Sequence, residues 1–131
     1  MAFSVIRSSR GLIRPLEQTP SGILDLSVID RLPVLRCNAR TLHVFRHGPE
    51  AAQVIREALS KALVPYYPLA GWLKESSQAT SIMSCPSPND DLLPDYVPGT
   101  EGTEPPLVQM QVTQFECGGF VIGLIFCPHN L

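Results

Sequence analysis

Apolar residues recur at helical spacing most clearly in PEAAQVIREALSKALVP, residues 49–65. There Ala51, Ile55, Ala58, Leu59, Ala62 and Leu63 make one apolar stripe, while Gln53, Arg56, Glu57, Ser60 and Lys61 take the opposite side. Glu57 precedes Lys61 by four residues, the favourable order for a charge pair on a helix. Pro49 suits the first helical turn, and Pro65 biases Val64 away from helix and marks its end. Such a one-sided helix must pack on something, and a sheet is the natural partner.

The sheet is written in alternation. TLHVF, residues 41–45, puts Leu42 and Val44 on one face. LVQMQVTQF turns Val108, Met110 and Val112 one way and Gln109, Gln111 and Thr113 the other. Glu116-Cys117-Gly118-Gly119 follows as a turn with glycines able to take positive φ. The return stretch, Phe120 to Cys127, has no alternation, as expected of a strand covered on both faces. The pattern predicts a hairpin whose second member is a central strand, needing neighbours that the chain downstream does not supply. Residues 3–7 and 11–14 read as short extended pieces closed by Pro15, and Pro33 prevents a long helix in SGILDLSVIDRLPVL.

From Glu75 to Pro106 no periodicity is sustained, and six of the thirteen prolines and six acids fall there. Irregular stretches beyond about 12–15 residues are uncommon inside compact domains. Length and composition otherwise fit one globular domain, residues 1–131, with 44% hydrophobic and 17% charged residues. All ten basic residues lie between Arg7 and Lys74, but singly and without interleaved aromatics, which argues against nucleic acid. The Arg- and Ser-rich start weakly imitates a transit peptide, yet Arg10 interrupts its apolar helical face, so a first strand is expected. No apolar run approaches the roughly 20 residues that span a bilayer. Cys37, Cys85, Cys117 and Cys127 stand far apart and read as reduced thiols of a cytoplasmic protein.

IDRLPVL, the helix ending in ALVPYYPLAGWL, DLLPDYVP and above all QVTQFECGGFVIGLIFC resemble the N-terminal part of plant BAHD acyltransferases. The resemblance implies an α/β fold: a partial mixed sheet with one main amphipathic helix, part of the N-terminal domain of a chloramphenicol-acetyltransferase-like protein. It implies transfer of an acyl group from acyl-CoA, a co-substrate and not a tightly bound cofactor, to a hydroxyl or amine of a plant secondary metabolite. In the family, a strand like FVIGLIFC runs into a His-x-x-x-Asp motif whose histidine is the general base and whose aspartate is mainly structural.

Here the position after Cys127 is Pro128, His129 comes one place late, and the chain ends at Leu131. Trp72 stands where an arginine is common. Two or more strands usual between the PLAG stretch and DLLPD are bridged only by SSQATSIMSCPSPND and its neighbours. A one-residue shift turns an extended side chain to the opposite face, and Pro128 removes a backbone donor. No catalytic residue is therefore assigned. The expectation is a truncated, inactive N-terminal acyltransferase domain, whether a real product or a mis-joined gene model. The alternative is a non-catalytic module that pairs with a full-length relative through an open sheet edge.

Other chemistry is weaker. Cys37, His43 and His47 lack the cysteine pair of a zinc finger, so no metal site is assigned, and His43 is expected on a strand's polar face. Cys127 beside His129 lacks an orienting third group and reads as an inert strand-end thiol. Gly118-Gly119 sits in a hairpin and not before a helix, so it is no phosphate loop. Tyr66, Tyr67 and Trp72 read as core and cleft-wall packing, and no cofactor-binding residue is assigned.

Overall fold

A computed structural model describes residues 5–6, 8, 10–25, 27–29, 39–71, 90–94 and 106–126. Within them lie β1 (Ala39–Phe45), α1 (Ala51–Ala62), β2 (Val108–Gln114) and β3 (Phe120–Phe126), with short 3-10 turns at Tyr67–Ala70 and Asp90–Leu92. The protein is thus a small α/β chain with a three-stranded sheet in the order β1-β3-β2.

Both strand pairs are antiparallel, where a mixed sheet was expected. The reason lies at one end of the sheet. Gly48, three residues past β1, donates its N–H to the carbonyl of Gly118 in the β2–β3 turn at 3.1 Å. β1 therefore ends where β3 begins, and the two strands run in opposite directions. β3 is central, as its unbroken apolar sequence predicts, but its second neighbour comes from upstream and not from beyond residue 127.

The hairpin closes as expected. The N–H of Phe115 donates to Gly119 at 2.9 Å, that of Gly118 donates to Phe115 at 3.0 Å, and Gly118 takes φ 86°. Gly119 is needed for another reason: a Cβ there would lie 2.9 Å from the Phe45 carbonyl oxygen.

α1 is shifted slightly from its predicted frame. Pro49 precedes the cap, and Glu50, at φ 56°, occupies the cap in the left-handed region. Its carbonyl takes the N–H groups of both Gln53 and Val54. The inward stripe is narrower than predicted: Ala51 and Leu63 are buried and Ile55 and Leu59 half-buried, whereas Ala58 and Ala62 are exposed. The Glu57 carboxylate accepts a hydrogen bond from Gln53 Nε2 at 2.7 Å.

Helix ends leave four carbonyls without intrahelical partners. Here each is satisfied: Leu59 by Leu63, Lys61 by Val64, Ala62 by Tyr66, and Ser60 by the N–H of Leu16. Ser60 Oγ also donates to the Arg14 carbonyl at 2.8 Å. This accounts for the extended piece predicted at 11–14, which is not a strand. Its backbone bonds go to the helix end and not to a sheet edge. Residues 3–4, most of the segment 75–106 and the strand's continuation past Phe126 lie outside the described residues.

Candidate active-site strand

β3 is fixed along both edges. Its register pairs Val121 with Val44 and Thr113, Gly123 with Leu42 and Gln111, and Ile125 with Arg40 and Gln109. Side chains alternate across a sheet, so these residues share one face. Phe120, Ile122, Leu124 and Phe126 share the other with Val108, Met110 and Val112.

The first face is covered by residues 90–94. Leu93 and Ile125, each 4% exposed, form the core of this contact, and Leu42 packs against them. Gln111 Nε2 donates to the Asp91 carbonyl at 2.8 Å. The approach is close because β3 carries a glycine at its midpoint. A Cβ at Gly123 would lie 2.1 Å from the Leu92 carbonyl oxygen. Sequence reading missed this docking, although a glycine inside an apolar strand commonly marks a close backbone neighbour.

The covering also inverts the simple reading of β2. Its polar residues face the buried side, so Gln109 is 8% exposed and its Nε2 is buried without a hydrogen-bond partner among the described residues. β1 keeps its expected alternation: Leu42 and Val44 share this face, Leu42 half-buried against Leu93 and Ile125 and Val44 77% exposed. At that same end of the face Val121, between Val44 and Thr113, is only 2% exposed.

On the second face the helix entry crosses the start of β3. The Phe45 and Phe120 rings stack with centroids 4.7 Å apart, and Gly48 lies against Phe120, leaving no room for a Cβ. Gln114 Nε2 donates to the Gly48 carbonyl at 3.4 Å. Offset-stacked aromatic pairs contribute roughly 0.5–1.5 kcal/mol beyond area burial. The turn end of the sheet is thereby locked, and the opposite end is where β3 leaves. There Phe126 pairs with Ala39 and Val108, the first residues of their strands, and the Leu107 N–H reaches the Gly71 carbonyl at 3.5 Å.

The candidate residues are distributed around this frame. Pro128, His129 and Cys127 follow directly from β3 but lie outside the described residues, as do Cys37, Cys85 and Trp72. His43 and His47 are exposed, His43 on the face of β1 shared with Ile122. Among the described residues no group of three or more metal-ligating side chains comes together. Cys117 is a free, exposed thiol in the hairpin turn. Tyr67 is half-buried, whereas Tyr66 is exposed and is not a core residue. An open groove of about 460 Å³ lies between residues 12–16 and the Arg56–Lys61 side of α1, and holds no residue of the sheet. No helix among the described residues is long and apolar enough to cross a membrane.

A family model described as "Transferase family" matches residues 3–87. Acyl transferase 4 of Oryza sativa subsp. japonica is 40% identical, over 95% of this chain and 37% of the rice protein. Acyl transferase 9 of the same plant is 36% identical at the same coverage. A myricetin 3-O-glucosyl 1,2-rhamnoside 6'-O-caffeoyltransferase, AT2 of Crocosmia x crocosmiiflora, is 37% identical over 92% of this chain and 34% of that protein. The chain belongs to the plant BAHD acyltransferase family. It spans little more than a third of the length of these relatives. The alignments run over 164, 156 and 153 positions, whereas the chain has 131 residues. Each relative therefore carries at least 22 positions inside the matched span with no counterpart here.

Proposed function

We propose that this chain supplies the strand platform of a coenzyme-A-dependent acyl transfer, from acyl-CoA to a hydroxyl or amine of a plant secondary metabolite. The relatives' names support acyl transfer in general, and one of them acylates a flavonol glycoside. The single observation that carries the reading is the fixation of β3. From Phe120 to Phe126 it is bonded on both edges and contacted on both faces, and the candidate base position follows two residues later in the sequence. A catalytic side chain needs such placement, because a misplacement of about 1 Å can cost 10²-fold in rate. By family resemblance the residue presented there is a histidine acting as general base, and the architecture around it is half of a chloramphenicol-acetyltransferase-like pair.

In this sequence the platform carries Pro128, so the 131-residue chain has no turnover of its own. A general base contributes typically 10²–10⁴ in rate. Holding donor and acceptor together contributes more, about 7–11 kcal/mol of barrier. Pro128→His alone therefore restores nothing measurable. The check is release of free thiol from acyl-CoA donors across a panel of alcohols and amines. Both the chain and its Pro128→His variant should match a heat-killed control. Sustained thiol release by the unaltered chain would overturn this reading.

A further inference from the structure

β2 is an edge strand in a form that proteins usually avoid. The N–H of Phe115 bonds Gly119, and hydrogen-bonded pairs alternate along an antiparallel ladder. Thr113, Gln111 and Gln109 therefore direct their backbone groups to β3. Val108, Met110, Val112 and Gln114 direct theirs outward, and no strand pairs with that side among the described residues. Exposed edges are commonly protected by charge, proline or a bulge. Val108–Gln114 reads VQMQVTQ, with none of these over seven residues. The other edge, β1, includes Arg40 and His43 and is followed at once by Arg46.

The sequence of β2 also matches its own reverse over its central residues, Gln109 to Thr113. About a two-fold axis at Gln111, Met110 faces Val112 of a second copy and Gln109 faces Thr113. At the centre of the pair Met110 and Val112 meet on one side of the sheet and Gln109, Gln111 and Thr113 meet on the other, while at each end Val108 lies opposite Gln114. In this register the outward backbone groups of Met110 bond those of Val112, and those of Val108 bond those of Gln114. All seven residues are used.

We infer that two copies of this chain pair through β2, antiparallel and in that register, forming a continuous six-stranded sheet. The proposal is independent of the acyl-transfer reading. A single strand pair is at the small end of stable interfaces, so the dimer dissociates on dilution.

Sedimentation velocity on the full chain across a concentration series should show a discrete species of twice 14.4 kDa that gives way to monomer on dilution. Met110→Lys puts charge on the edge, and Val112→Pro removes an outward N–H without touching the bonds to β3. Each should weaken association at least about tenfold, while Val44→Lys on the β1 edge leaves it unchanged. Circular dichroism checks that the variants fold. If they do not, hydrogen exchange of the unaltered chain decides: residues 108–114 should be more protected at high concentration, and residues 39–45 equally protected throughout. A monomer at all concentrations, heterogeneous aggregates, or association abolished only by Val44→Lys would overturn the proposal. So would concentration-independent exchange in β2.

Discussion

Gly123→Ala should detach residues 90–94 from the sheet and lower stability by about 2–3 kcal/mol, although it adds one methyl group. The new Cβ would lie 2.1 Å from the Leu92 carbonyl oxygen. That atom belongs to backbone, which cannot swing aside as a side-chain tip can. Relief requires the whole segment to move, which exposes Leu93 and Ile125, the core of that face. It also breaks the bond from Gln111 to Asp91. Urea denaturation measures the loss. Leu93→Ala removes the same contact from the other side, so the double variant should be much less destabilised than the sum of the two singles. Additive losses would mean that Gly123 and Leu93 do not share one docking contact.

The second large effect is catalytic and uses the hairpin as a graft. Placed in a full-length acyltransferase of the family in place of its own hairpin, residues 106–127 should preserve turnover within about tenfold, because β3 would again be a bonded central strand. Extending the graft through Asn130 puts Pro128 at the base position and His129 one place late. Turnover should then fall by about 10²–10⁴, the usual contribution of a positioned general base. The strand is unchanged between the two grafts. What differs is the proline at the base position, which removes a backbone donor, and the face on which the imidazole emerges, since each step along an extended chain reverses it. Equal activity of both grafts would refute the assignment of the base position.

Much of this frame is legible in the sequence, and the gaps have physical causes. α1 and the β2–β3 hairpin follow from local period and turn chemistry, and the apolar run of β3 announces a strand with cover on both faces. The direction of β1 is not local. It is set by the bond from Gly48 to Gly118, 70 residues apart, and no alternation pattern encodes it. The same holds for residues 11–14, whose extended sequence suits a strand until the helix end claims the Arg14 carbonyl and the N–H of Leu16 just beyond. The polar side of β2 becomes the buried side because of Gly123 and Leu93, and alternation alone gives two faces without saying which is covered. At the candidate site the family resemblance locates the base position, and composition alone would have left His129 as an ordinary histidine.

The most direct test of the account is whether β3 is central. Non-hydrogen-bonded antiparallel pairs bring Cα atoms to about 4.5 Å, close enough for strong proton–proton contacts between them. NMR of the labelled chain should give Hα–Hα cross-peaks between Met110 and Leu124 and also between Leu42 and Gly123, the pairs fixed by the two registers. The first without the second would make β3 an edge strand and contradict the claim that it is held along both edges from Phe120 to Phe126.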